Sequence, residues 1–188
     1  MKIVINASPL IFLTKLELID HIVPLFEMFV ITTGVKEEIL KHNDETSSWL
    51  NSTKQHNIRL GEGGKIPSII KAWDLGKGES EVIAFAKMNR RFIAALDDKA
   101  ARNCAYSLKI KVMGTLGLIL LAKHHRIIDN ATKYLHQLLN LGYRIDEETF
   151  RYAIKLADER WERLNTALSP KPWIFRQSGI WNLEFKIW

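Results

Sequence analysis

Short apolar runs alternate with longer amphipathic segments along most of the chain, a pattern typical of strands that alternate with helices. The predicted strands, each rich in β-branched or other apolar residues, cover residues 3–5, 28–31, 58–60, 92–96 and 111–113. The predicted helices follow Ser8 and lie within residues 32–40, 47–55, 75–86, 99–108, 115–123, 131–141 and 146–163. Because strands and helices alternate, we expect an α/β fold of three layers, in which helices flank a central parallel sheet.

Two connections carry more specific local signals. Ser8 is predicted to be the N-cap of the first helix and Pro9 its first residue, since proline has no N–H to leave unpaired there. The stretch "GEGGKIP", residues 61–67, is predicted to be a loop from its glycines and its proline.

The last part of the chain differs in character from the rest. The stretch "ALSPKPWIFRQSGIWNLEFKIW" has two prolines and three of the six tryptophans, without a clear period. Such an aromatic content is unusual for a disordered tail. We therefore expect one domain over residues 1–158 and an aromatic-rich C-terminal extension over residues 159–188, packed on the domain or on a partner.

The composition narrows the function classes. The chain has 188 residues and a formal net charge of +6, which fits a polyanionic partner such as RNA, although ordinary solubility also explains it. Cys104 is the only cysteine, so an intrachain disulfide and a cysteine-based zinc site are excluded. No apolar run reaches the length of a membrane span, so we expect a cytoplasmic protein without a membrane partner.

Polar and acidic residues follow several of the predicted strands. Asn6 ends the first strand, Glu38 lies in the helix after the second, Glu79 opens the helix after Gly78, and Asp97-Asp98 ends the fourth. Parallel strands end at the same edge of a sheet, so these side chains are expected to converge. Converging carboxylates repel unless a cation lies between them, and Mg²⁺ or Mn²⁺ is the usual one.

Each acid also has a purely structural explanation. Acids in a first helical turn are favoured by the helix dipole, and an aspartate after a strand can simply cap the next helix. The presence of four such positions at one sheet edge favours a site that activates water against a phosphodiester, as in metal-dependent nucleases.

Five stretches, in this order, resemble the PIN-domain family and within it the VapC-like group of predicted nucleic-acid-binding proteins. They are "VINASPLI", "VKEEIL", "LGKGESEVIAFA", "LDDKAARNCA" and "VMGTLGLILLAK", and the resemblance spans roughly residues 1–157. It implies a small PIN-like α/β fold, an acidic Mg²⁺ or Mn²⁺ site and hydrolysis of single-stranded RNA. Many relatives are toxins neutralised by an antitoxin, and many form homodimers.

The resemblance places the four family acids on particular residues. The first falls on Asn6, the second on Glu38, the third on Glu79 and the fourth on Asp97, with Asp98 as the less favoured choice. All five are therefore candidate metal ligands, and Glu38, Glu79 and Asp97 are the candidate catalytic residues.

Two hydroxyl residues complete the family pattern, and one position departs from it. Ser8 is the hydroxyl neighbour of the first acid, and Thr115 lies where a hydroxyl often borders the site. Asn6 stands where most PIN domains have aspartate, which lowers the expected metal affinity.

Three basic residues are candidate contacts to an RNA backbone, namely Lys99, Arg102 and Lys123. Arg102 follows Asp98 by one helical turn, which places it near the acidic edge. The run "KHHR" at residues 123–126 has an equally good explanation at the end of a helix, where cations are stabilised.

The sequence therefore predicts a metal-dependent endoribonuclease for single-stranded RNA, the toxin of a toxin–antitoxin pair. A metal-activated water would be the nucleophile, without a covalent enzyme intermediate. The alternative is a catalytically weakened PIN domain that acts as an RNA- or protein-binding module. Asn6 supports this alternative, whereas the three retained acids support the enzyme.

Overall fold

The computed structural model describes residues 1–61 and 64–158, so the predicted extension lies outside the described residues. Five parallel strands form one sheet in the order β3-β2-β1-β4-β5. The strands are β1 (Lys2–Ile5), β2 (Met28–Thr32), β3 (Ile58–Gly61), β4 (Phe92–Ala95) and β5 (Val112–Met113). The predicted parallel sheet is confirmed.

Helices connect the strands and flank the sheet, as the alternating pattern predicted. They are α1 (Ala7–Lys15), α2 (Ile19–Ile22), α3 (Thr33–Leu40), α4 (Glu45–Ser52), α5 (Ser68–Lys71), α6 (Lys77–Met88), α7 (Lys99–Ser107), α8 (Thr115–His124), α9 (Ala131–Asn140) and α10 (Glu147–Asp158). The architecture is the α/β, PIN-like fold that the sequence predicted.

Burial on both faces explains why the central strands are continuous apolar runs. Ile3, Val4 and Ile5 in β1 are all fully buried, although successive side chains of a strand point to opposite faces. In α8, every residue from Thr115 to Ala122 is buried, as expected for an apolar helix inside the domain. The sheet is thus the middle layer of the core.

The order of the strands defines where a ligand can bind. From β1 the chain adds β2 and β3 on one side, and then β4 and β5 on the other side of β1. In open α/β sheets, ligands bind beyond the carboxyl ends of the strands where this order reverses. Here that point lies between β1 and β4, and the Asn6 N–H donates to the Ala95 carbonyl at 3.0 Å just beyond it.

The helix boundaries differ from the predictions in two places. Asn6 is the N-cap of α1 and has an extended backbone, so Ser8 and Pro9 lie inside the first turn. Proline fits there because the first-turn N–H groups have no intrahelical acceptor. The helix predicted over 47–55 is α4, which begins earlier because Asp44 accepts from the Thr46 and Ser47 N–H groups.

Short helical elements were missed. The four-residue helices α2 and α5, and the 3₁₀ turn Val23–Leu25, are too short to show a helical period in the sequence. None of the helices in the described ranges is long and apolar enough to cross a membrane.

A buried carboxylate joins the two helices that carry Glu38 and Glu79. Glu81 in α6 is 5% exposed, and its Oε2 accepts from the Gly34 N–H at the start of α3 at 2.6 Å. A Cβ atom on residue 34 would lie 2.9 Å from this carboxyl group, so glycine allows the approach. This hydrogen bond sets the position of α3 relative to α6.

We expect Glu81→Ala to destabilise the fold by about 1–3 kcal/mol, because it leaves the buried Gly34 N–H without an acceptor. The free energy of unfolding can be measured by urea denaturation. Glu37→Ala, which removes an exposed carboxylate from α3, is the matched control and should have little effect. Equal stability of the Glu81 variant and the parent chain would show that the bond does not join the helices.

Candidate metal and nuclease site

Asn6 lies at the carboxyl end of β1, and its side chain is not used as a helix cap. The residue is 5% exposed, and its side chain makes no capping hydrogen bond. The Oδ1 atom is buried and has no hydrogen-bond donor within residues 1–61 and 64–158. A buried carbonyl oxygen without a donor costs free energy, so a cation or a donor bound at this atom would stabilise the fold.

Glu38 lies near that oxygen, beside Gly78. A Cβ atom on Gly78 would lie 3.0 Å from Glu38 Oε2 and 3.1 Å from Asn6 Oδ1. Both oxygens therefore surround the same point at the start of α6, and the glycine leaves room for them. The two predicted ligands from β1 and α3 are brought together.

Asp97 lies two residues after the end of β4 and is held by donors from Thr115 and Tyr143. Its Oδ1 accepts from the Thr115 N–H at 2.8 Å and from the Tyr143 hydroxyl at 3.0 Å. Its Oδ2 accepts from the Thr115 hydroxyl at 2.6 Å. The predicted hydroxyl residue thus contacts the predicted acid directly.

Asp98 has a different role in the local structure. It is the N-cap of α7, and its Oδ1 accepts from the Ala101 N–H at 2.8 Å. The capping explanation therefore applies to Asp98 and not to Asp97. Its charge still acts on the site, because it helps to raise the pKa of Glu79.

Glu79 is partly buried, and its ionised form is disfavoured there. Burial raises the pKa of its carboxyl group, and the charges of Asp98 and Glu38 raise it further. A hydrogen bond from the Gly76 N–H, at 3.1 Å to Oε2, opposes this shift. Glu79 is therefore close enough to Glu38 and Asp98 for their negative charges to disfavour its ionised form.

Burial also raises the pKa of Asp97, against the effect of its three hydrogen bonds and of the Arg102 charge. The pKa of Tyr143 is raised well above its usual value, first by burial and then by the charge of Asp97. Tyr143 therefore stays a neutral hydroxyl donor towards the Asp97 carboxylate.

The candidate RNA contacts fall in three different environments. Lys99 is exposed at the first position of α7, beside the acidic edge. Arg102 is buried, and its charge acts on Asp97 and Tyr143. Lys123 lies at the other end of α8 from Thr115, where its ammonium group donates to the Asp129 carbonyl.

The donor set consists of oxygen atoms, but the acids are not gathered into one cluster. Among the described residues, no three His, Cys, Asp or Glu side chains lie close enough to hold a metal ion. Ser8, in the first turn of α1, is partly buried two residues after Asn6. The preformed part is the pair of Asn6 Oδ1 and Glu38 Oε2, which suits a hard divalent cation.

A parallel α/β sheet with oxygen ligands where its strand order reverses belongs to the class of open α/β folds that bind ligands at this point. Within that class, the family model described as a PIN domain matches residues 2–159, and the chain belongs to this family. PIN domains are generally nucleases and typically use divalent metal ions. No curated protein and no solved structure matches the chain.

Three features of the site were not predicted from the sequence. Tyr143 is separated from Asp97 by 46 residues and lies in no motif of the resemblance. Gly78 was noted only as the residue before Glu79, although it makes room for two oxygens. Glu81, two residues after Glu79, is a structural acceptor that binds the Gly34 N–H.

The raised pKa of Glu79 predicts a pH-dependent stability in metal-free solution. A carboxyl group with a raised pKa binds protons more tightly in the folded state, so stability falls as the pH rises through that pKa. Glu79→Gln should therefore stabilise the metal-free fold at pH 7, and the gain should vanish below the usual pKa of about 4.5. Thermal melts of the parent chain and of Glu79→Gln in EDTA, at pH 7 and at a pH below about 4.5, measure this difference in stability.

Glu37→Gln is the matched control with the opposite sign. The pKa of Glu37 is lowered by its hydrogen bond from Lys77, so its ionised form is favoured in the folded state. Its removal should not stabilise the fold at pH 7. A Glu79→Gln variant that is less stable than the parent at pH 7 would contradict the electrostatic description of the site.

Proposed function

We propose that this PIN domain is a metal-dependent endoribonuclease that cleaves single-stranded RNA. The observation that carries the proposal is the buried Asn6 Oδ1, which has no described donor and lies beside Glu38 Oε2 where the strand order reverses. A divalent cation would satisfy that oxygen and neutralise the neighbouring acids. Mg²⁺ or Mn²⁺ is the ion class that this oxygen-only donor set suits.

The proposed ligands are Asn6, Glu38, Glu79 and Asp97, with Asp98 at the margin. A bound Mg²⁺ or Mn²⁺ would supply charge neutralisation at the phosphodiester and would lower the pKa of an attacking water. The hydrogen bond from Gly76 occupies only Oε2 of Glu79, so Oε1 is the oxygen of Glu79 that this bond leaves for the ion.

The surrounding residues orient the acids and the substrate. Thr115 holds both oxygens of Asp97 through its N–H and its hydroxyl. Lys99 is exposed at the rim and is the best placed of the three basic candidates to contact a phosphate. Contacts through Arg102 and Lys123 stay predictions, because one is buried and the other lies at the far end of α8.

Asn6 decides how strongly the site binds metal. An amide offers an oxygen with only a partial charge, so a site with asparagine has one negative charge fewer than a site with aspartate. Hard cations depend on ligand charge for affinity, and we therefore propose weak metal binding. The missing charge also reduces repulsion among the retained acids when no metal is bound.

One observation favours a second function, that of an RNA- or protein-binding module without cleavage. Within the described ranges the acids do not form a preformed three-carboxylate cluster, and the first family acid is replaced by an amide. The exposed basic residues could still hold RNA in that case. Binding without metal-dependent cleavage would be the outcome that supports this module.

The likeness to VapC-like proteins supports a biological role for the nuclease. We propose that the chain is the toxin of a toxin–antitoxin pair, with a cognate antitoxin and a second copy of the chain as partners. The net charge of +6 is consistent with an RNA substrate.

The nuclease is tested by incubation of the full chain with single-stranded RNA, with Mn²⁺ and then with excess EDTA. We expect cleavage with Mn²⁺, its loss in EDTA, and no cleavage by Asp97→Asn. An absence of metal-dependent cleavage on every RNA tested would contradict the nuclease.

Asn6→Asp is predicted to increase Mn²⁺ affinity and RNA cleavage, because it restores a full charge to the site. The same change should slightly lower the melting temperature of the metal-free protein, since it adds repulsion between carboxylates. Calorimetric titration with Mn²⁺ and melts in EDTA measure the two effects. Identical affinities of the parent and the variant would mean that Asn6 does not face the metal.

A further inference from the structure

Asp97 has almost no free capacity to accept hydrogen bonds. A carboxylate has about four lone-pair directions, two on each oxygen. Oδ1 accepts from the Thr115 N–H and the Tyr143 hydroxyl, and Oδ2 accepts from the Thr115 hydroxyl. Among the donors that the structure describes, only one direction on Oδ2 is left open for a ligand.

Tyr143 is itself held in place from the far side. It lies in the connection between α9 and α10, outside both helices. Its ring packs edge to face on Phe12 of α1, with 5.2 Å between the ring centroids. Tyr143 therefore contacts both α1, the helix that begins directly after Asn6, and Asp97, which follows β4.

The backbone near Asp97 is shaped to admit both groups. A Cβ atom on Gly114 would lie 3.0 Å from Asp97 Oδ1 and 4.0 Å from the Tyr143 hydroxyl oxygen. The buried Arg102 guanidinium adds a positive charge that favours the ionised carboxylate. The orientation of the carboxylate is therefore fixed by Thr115 and Tyr143, and the Arg102 charge favours its ionised form.

We propose that Tyr143 is a positioning residue, which blocks Asp97 Oδ1 and leaves Oδ2 as the Asp97 oxygen that binds the metal of the nuclease site. The proposal rests on the proposed function for the metal and assigns how one ligand is presented to it. Without the tyrosine hydroxyl, Oδ1 gains a free lone pair and the carboxylate can rotate about its terminal bond. Tyr143 then controls the orientation of Asp97 and hence the geometry of the site.

Tyr143→Phe tests this, because the variant keeps the ring on Phe12 and removes only the donor. Loss of such a supporting hydrogen bond typically lowers metal affinity by about 10–100-fold. We expect a loss of this size in a Mn²⁺ titration of the full chain, with a nearly unchanged melting temperature. Tyr134→Phe, on a half-buried tyrosine of α9, is the matched control and should keep the affinity of the parent.

A second readout needs no metal. Amide hydrogen exchange of Thr115, measured by NMR in EDTA, should accelerate in Tyr143→Phe because the Asp97 acceptor is loosened. The other amides of α8 should keep their protection, whereas a general loss of structure would accelerate all of them. This measurement separates the metal site from the positioning role of Tyr143. If the parent chain binds no Mn²⁺, the metal site is refuted, and the Thr115 exchange rate alone decides whether Tyr143 orients Asp97.

Gly114→Ala is a second test, because it perturbs the Asp97 carboxylate and leaves Tyr143 unchanged. Its Cβ crowds Asp97 Oδ1, so it should also weaken Mn²⁺ binding and accelerate Thr115 exchange. Unchanged Mn²⁺ affinity together with unchanged Thr115 exchange in Tyr143→Phe would overturn the proposal. If Tyr143→Phe does not fold, the same two results in Gly114→Ala would overturn it.

Discussion

The position of β1 between β2 and β4 determines the rest of the site. Parallel pairing on both sides brings the carboxyl ends of the three strands to one edge, and the chain reverses its direction of strand addition at β1. Asn6 is the first residue beyond β1, and its N–H still pairs with Ala95 of β4. The amide side chain is thereby placed where the strand order reverses, which is where open α/β sheets bind ligands.

The segments that follow the strands supply the charged groups near this edge of the sheet, and each carboxylate has hydrogen-bond donors of its own. Asp98 caps α7, Glu79 accepts from Gly76, and Asp97 is held by Thr115 and Tyr143. These bonds stabilise acids that would otherwise repel one another in a partly buried environment. They also explain why the described residues contain no three-acid cluster, because the hydrogen bonds turn the carboxylates towards different donors.

Much of the fold could be predicted because its signals are local. Parallel strands buried on both faces are short apolar runs, and glycines and prolines mark the connections. The limits of prediction were also physical. The choice between Asp97 and Asp98 depends on which one caps α7, and whether the Asn6 side chain caps α1 or is left for a ligand depends on its geometry. Neither is encoded in a spacing.

Contacts between residues far apart in the sequence were also not predicted. Arg102 has the spacing of a surface residue near the acidic edge, but tertiary packing buries it, and its charge acts on Asp97 and Tyr143. Tyr143 comes to Asp97 from a connection 46 residues further along the chain, and no motif marks it. Such contacts follow from how α8, α9 and α10 pack together, which a pattern along the chain does not specify.

If the buried Asn6 Oδ1 is a metal ligand, a crystal of the full chain grown with Mn²⁺ and measured at the manganese absorption edge shows this most directly. We expect an anomalous peak within bonding distance, about 2.0–2.6 Å for hard cations on oxygen, of Asn6 Oδ1 and a Glu38 oxygen. A manganese peak bound elsewhere, or an Asn6 Oδ1 that accepts a hydrogen bond from a protein donor instead, would contradict it.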